Sequence, residues 1–279
     1  AVADLLFAAG LTLGVALPVV RVRQWQQLGI LSKLALLLVA HGAFYAGALG
    51  YLDQGTAWGL YGGLYLILGL LFTMARRVVP FFIERGVAER FRARNRLWVD
   101  RSGLVLFLVW ALLDLFTRQA QLVAWLSLAL ALIHAIRLWD WHTPGIWRRP
   151  LLWSLYVAYG FLAMGFLLKA LAVWLGLSPF LAVHAFAYGG IGLMTLGMMS
   201  RVSLGHTGRD VSQPPRFIEA VFILILVGAL IRVLVPFIDS ADYRIWIAAA
   251  QVLWLLGFST FAVLYLPMLT RPRWGGRRG

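Results

Sequence analysis

FIEAVFILILVGALIRVLVPFI, residues 217–238, is 22 residues long and carries only two charges, Glu219 and Arg232. At about 1.5 Å per residue, a helix of this length crosses the roughly 30 Å hydrocarbon core of a bilayer. The run is too long for a barrel strand, and its apolar residues do not alternate with polar ones. Working outward, eight further segments read the same way: 3–20, 28–52, 55–75, 98–117, 119–139, 151–175, 180–200 and 243–269, with 216–238 completing nine. Pro150, Pro179 and Pro215 stand where helices begin, where a missing N–H costs little. Asp53-Gln54-Gly55 reads as a tight turn. The sequence therefore predicts an all-α, polytopic bundle of about nine spans, with residues 1–279 forming one transmembrane domain.

Composition agrees. Of 279 residues 62% are hydrophobic and 13% charged, against about 25% charged in soluble domains. The net charge is +14, from 25 basic and 11 acidic residues. All but four of those basic residues fall at or after the inner ends of the odd-numbered spans, or at the start of the second. Arg21, Arg23, Arg76, Arg77, Arg85, Arg90, Arg101, Arg148, Arg149, Arg201, Arg216, Arg271, Arg273, Arg277 and Arg278 mark that side. Arg118, Lys169, Arg232 and Arg244 lie opposite, with Asp53, Asp239 and Asp242. By the positive-inside rule, the N-terminus is expected outside and the C-terminus in the cytoplasm. No basic stripe lies outside these loops, so nucleic acid is not an expected partner; the lipid bilayer is. There is no Cys, which rules out disulfides, thiolate metal sites and covalent c-type haem attachment.

Residues 76–97 mix Phe81, Phe82 and Phe91 with arginines and read either as an interfacial amphipathic helix or as a solvated basic loop. Trp139, Trp141 and Trp147 read as interfacial anchors. Intramembrane ligating groups are costly and invite a functional question. His41 and His184 fall about 20 and 24 Å from the inner ends of their spans. Imidazoles at matched depth on two helices suit one haem or one copper ion; the alternative is a histidine bonded to a neighbouring helix. Met194 and Met198 would add soft thioethers, though Met in an apolar helix is commonly filler. His134 and Arg137, three apart, suit a carboxylate or an interfacial cap. Gly189, Gly190, Gly192 and Gly197 thin the seventh span for a neighbouring helix or a flat macrocycle. Gly205-His206-Thr207-Gly208-Arg209 either binds an anion or locks the helix end. His142 reads as structural. Nothing resembles a hydrolytic triad or a P-loop.

The run from His184 through Tyr188, Gly189, Gly192, Met194 and Thr195, followed by Met199-Ser-Arg201 and Leu204-Gly-His-Thr-Gly-Arg209, resembles the signature of the NnrS family. Arg77-Val-Val-Pro80-Phe81-Phe82, His134-x-x-Arg137-x-Trp139, Arg149-Pro150-Leu-Leu-Trp153 and Tyr159 are similar to that family as well. The chain departs from it at Arg76, where Gly is usual, and at Tyr45, where His is often found. The resemblance implies a bacterial inner-membrane protein protecting against nitric oxide and nitrosative stress, with haem b and copper as cofactors. It implies His184 as metal or haem ligand and His134, Arg137, His206 and Arg209 as an inner polar cluster holding propionates; matched depth, rather than the resemblance, adds His41 as a candidate partner, since the family often has Asn there. It also implies that this chain, opening on Ala1, corresponds to the last nine spans of a longer 12-span protein. Whether nitric oxide is bound, reduced or sensed is left open. A permease without a redox centre and a structural subunit of a larger membrane complex are the competing readings.

Overall fold

A computed structural model of the chain describes residues 2–238 and 242–271. Ala1, Asp239, Arg273, Arg277 and Arg278, used above, lie outside the described residues. Within them every regular element is helical. Nine long helices follow one another: α1 (Val2–Arg21), α2 (Leu28–Ala48), α3 (Gly55–Gly86), α4 (Leu97–Phe116), α5 (Ala120–Trp141), α6 (Pro150–Leu175), α7 (Phe180–His206), α8 (Ile218–Ile238) and α9 (Tyr243–Leu269). Short 3-10 turns sit at Trp25–Gln27 and Pro144–Arg148. Eight of the nine are long and apolar enough to cross a membrane. The exception is α4, which has Asp100, Arg101 and Asp114 within 20 residues. The architecture is that of an all-α polytopic membrane bundle.

Two helices run further than hydropathy predicts. The third span, expected to end at 75, continues to Gly86 and is 32 residues long. Ala75, Val79 and Ile83 are buried at intervals of four, so one inward stripe carries the helix past its apolar window. Residues 76–86 are therefore the end of a span, neither a separate surface helix nor a loop. The seventh span continues from 200 to His206, which puts Arg201 on a helix rather than in a linker.

The helices sort into two compact units. The first comprises Ala1–Met74 and Phe107–Arg118, the second Ala75–Leu106 and Gln119–Gly279. In the first, α1 lies along α2 and neither has a buried residue in its apolar window. Gly47, Gly55 and Gly59 let α2 and α3 approach until backbone meets backbone. Tyr65 of α3 hydrogen-bonds Asp114 of α4, and its ring packs on Trp110 at 4.6 Å.

In the second unit α6 and α7 form the centre: 72% and 67% of their apolar windows are buried, against 17% for α9. α5 packs along α6, α7 lies on α6, and α8 pairs with α9. Between helices in lipid there is little hydrophobic driving force, so close contact and hydrogen bonds must hold them together. The α6–α7 seam shows how. Gly189 and Gly190 lie directly under the Phe161 and Leu162 side chains, and Gly165 lies under Phe186. Phe166 and Phe186 meet edge to face at 4.9 Å.

Candidate functional site

The signature helix α7 is not a uniform α-helix. It is α-helical over Phe180–His184, π-helical over Ala185–Gly192, and α-helical again over Leu193–His206. π-Turns are rare, mostly single bulges, and often mark functional sites; here one occupies eight residues. Hydropathy carries no signal for it, because i→i+5 bonding leaves composition unchanged. The glycines do not face an open slot for a macrocycle. A Cβ on Gly189 or Gly190 would overlap Phe161 or Leu162, and one on Gly192 would lie 2.5 Å from Trp254. Their role is helix packing.

His184 stands where the π segment begins. It is half-buried and makes no hydrogen bond within the described residues. One turn inward, Tyr188 donates to the Ala250 carbonyl at 2.6 Å and meets the Trp254 ring edge-on at 4.7 Å. Its hydroxyl lies against Gly228 of α8, where a Cβ could not fit. Arg232 is one turn further along α8, close enough for its charge to act on both His184 and Tyr188. Its guanidinium sits 5.9 Å from the Tyr243 ring of α9. Arg232 Nη1 is buried without a hydrogen-bond partner among the described residues. An unpaired buried donor is expensive, more so when charged. Sequence reading counted Arg232 only as a stray charge. The available signal was an arginine inside a 22-residue run whose one other charge, Glu219, lies at its start.

His41 lies in the first unit and is considered there by itself. Its Nε2 is 2.9 Å from Asp4 Oδ2, which also accepts from the Tyr45 hydroxyl at 2.7 Å. The His41 and Tyr45 rings stack at 5.4 Å. A histidine tied to a neighbouring helix is thus what α1 and α2 hold; Nδ1 is the nitrogen this pairing leaves over. His41 also lines an apolar cleft of about 380 Å³ with Leu37, Phe44 and Leu60.

His134 and Arg137 are brought together, in a buried network on α5. His134 Nδ1 and Arg137 Nη1 both meet the Tyr159 hydroxyl of α6, at 2.6 and 2.8 Å. Arg137 Nη2 donates to Asp100 Oδ1 of α4 at 2.7 Å, and Arg76 of α3 reaches Asp100 Oδ2 at 3.2 Å. The His134 ring stacks on Phe166 with an interplanar angle of 7°. Arg137 is therefore committed to a carboxylate of its own chain. Asp100 was the residue missed; a buried arginine demanded such a partner.

Beside this network a second set of contacts closes the same end of the bundle. Arg96 grips Asp140 with two bonds, 2.7 and 2.9 Å, which holds the guanidinium above its usual pKa through the hydrogen bond and then the charge. Trp141, expected at the interface, is fully buried against Tyr159 and donates to Asn95 at 3.3 Å. Trp139 is 82% exposed, the condition an interfacial anchor requires. Glu89 accepts from the Thr143 hydroxyl and from the Gly145 N–H at 2.9 Å. The Thr143 bond leads in pulling the Glu89 carboxyl below its usual pKa, with the Gly145 N–H and the Arg148 charge adding. His142 accepts from Trp147 Nε1 at 3.2 Å, a structural contact.

The Gly-His-Thr-Gly run locks the end of α7. Gly208 has φ +73°, the left-handed region that favours glycine. Arg209 N–H returns to the Leu204 carbonyl at 2.9 Å and Gly208 N–H to Gly205 at 3.3 Å, the paired bonds of a Schellman cap. Thr207 Oγ1 adds a bond to Ser203 O at 2.7 Å. His206 is exposed, while Arg209 keeps a buried Nη1 with no hydrogen-bond partner among the described residues. Met194 is buried and Met198 half-buried, both more than two turns inward of His184. Among the described residues no three His, Cys, Asp or Glu gather as a metal site.

Fold and site together define a multi-pass helical membrane protein whose few intramembrane polar groups are histidines, arginines and their partners. The family model described as NnrS protein matches residues 1–273. The chain belongs to the NnrS family. No curated protein and no solved structure matches it.

Proposed function

We propose that this protein binds haem within the bacterial inner membrane and protects against nitric oxide; His184 would hold the iron and Arg232 would pair with a haem carboxylate. The observation that carries the reading is His184. It is an intramembrane imidazole without a hydrogen bond among the described residues, at the mouth of a π-helical segment in the signature helix of its family. Neutral imidazole is a ligand for haem iron. Bound haem would supply an iron centre able to take up a diatomic gas. The chain's own residues do the rest: His184 offers a nitrogen, Arg232 a buried cationic donor, and Tyr188, fixed to Ala250, holds α7 in register with α8 and α9.

The donor set favours haem over copper. One imidazole would suffice to hold haem iron, whereas copper would take several ligands from the protein. Met194 and Met198 lie too far along the helix to join His184 readily. His41 would offer Nδ1 from its own unit, with Asp4 orienting the ring as carboxylates orient metal-bound histidines. The permease reading draws support from the interruption of α7, since transporters place broken helices at mid-depth.

An absorption spectrum of the full-length purified protein decides between them. A Soret band that His184→Ala abolishes, and that Arg232→Gln weakens without loss of helical circular dichroism, is expected. A colourless, metal-free preparation overturns the proposal and leaves the permease.

A further inference from the structure

A cleft of about 510 Å³ opens at the end of the second unit that carries the basic loops. Its lining includes Arg85 from the end of α3, Arg148 and Arg149 from the turn before α6, Arg201 from α7, and Asp210 and Ser212 from the segment after α7. Gly86 sets its floor. A Cβ there would lie 2.9 Å from Leu152, so the missing side chain lets the end of α3 meet the start of α6 and gathers arginines from separate helices.

Four arginines and one aspartate line the cleft, and that carboxylate is engaged. Asp210 accepts from the Ser212 N–H at 2.8 Å and from its hydroxyl at 2.7 Å. Arg149 donates to the Ser212 carbonyl at 3.4 Å, which draws the segment over the cleft. Arg201 lies on the Phe82 ring at 4.0 Å and Arg85 on Phe81 at 4.5 Å. These stacked arginines are held in place by aromatic faces rather than by acids. Among the described residues none of the four is ion-paired. Arg85, Arg148 and Arg149 are exposed and Arg201 is half-buried, so the concavity they line is open to solvent.

We propose that this cleft binds a phosphate group. Guanidinium forks match phosphate oxygens in pairs, and several from different helices can surround one tetrahedral anion. The phosphate arrives either on an anionic phospholipid, since the cleft lies at a helix-end level where headgroups sit, or as a free phosphate compound from the aqueous side.

The test uses the whole chain in neutral detergent at fixed ionic strength. Binding of dihexanoyl phosphatidylglycerol and, separately, of inorganic phosphate is followed by thermal shift and native mass spectrometry. Arg148→Gln/Arg201→Gln should weaken binding about tenfold or more. Arg92→Gln/Arg94→Gln, which removes two exposed arginines outside the cleft, should leave it unchanged. Binding of the lipid alone assigns the site to a headgroup; binding of inorganic phosphate, with competition against the lipid, assigns it to a free phosphate. If neither probe binds, or if both double variants weaken binding equally, the proposal fails, the second outcome reducing the cleft to general positive charge.

Discussion

Tyr159 shows how one side chain can hold several functional candidates in a structural role. Its hydroxyl joins His134 and Arg137, and through Arg137 reaches Asp100 and Arg76 on two further helices. Interhelical hydrogen bonds in membranes contribute about 0.6 to 2 kcal/mol each. Tyr159→Phe keeps the ring and removes the hydroxyl, so a loss of about 1–2 kcal/mol is expected. Asp100→Asn should cost more, about 3 kcal/mol, because Arg137 is left buried without its counter-charge. Unfolding by sodium dodecyl sulfate titration orders the two variants; equal losses, or a milder Asp100→Asn, would contradict the network. Arg232 is the counterpart whose buried Nη1 has no hydrogen-bond partner among the described residues. Its charge acts on His184, which is why the two are assigned together.

Among the elements, the segment between α3 and α4 acts through Glu89, which clasps the turn before α6 by Thr143 and Gly145. The carboxyl is held below its usual pKa in the folded protein. A depressed folded pKa contributes stability that is present above the unfolded value, about 4.3, and lost as pH falls through the folded one. The melting temperature in detergent should therefore fall on acidification below about pH 4, and Glu89→Gln should flatten that acid limb. An unchanged limb in the variant would place the acid sensitivity elsewhere. Gly145 belongs to the same clasp, since a Cβ there would overlap the Glu89 carboxylate. The π segment of α7 is the other element whose geometry matters. It is pinned on one side by Phe161 and Leu162 and on the other by Trp254, so its departure from α-helix is supported along its length.

For the whole molecule, the charge distribution makes a claim that the helix arrangement leaves to experiment. All but four of the 25 basic residues read onto one side of the spans, which predicts that side to be cytoplasmic. A green fluorescent protein fused after the last residue should fluoresce, and an alkaline phosphatase fused there should be inactive. The reverse pattern would invert the topology, and with it the compartment from which the basic cleft is reached. The two compact units also divide the histidines: His41 has its partners in one, His134 and His184 in the other.

Hydropathy alone determined the fold class and the nine helices, because both follow from transfer free energy and need no knowledge of neighbours. The residues of the signature helix were also legible, as was the locking role of Gly208, which turn chemistry allowed beside anion binding. Tertiary structure decided what each polar group does. It committed Arg137 to Asp100, tied His41 to Asp4, buried Trp141, filled the glycine face of α7 and brought His184 within range of the Arg232 charge. Those outcomes depend on which helix lies alongside which, and on a π-helical register that shifts side chains without altering composition. A buried charge must find a partner; only the packing says which one.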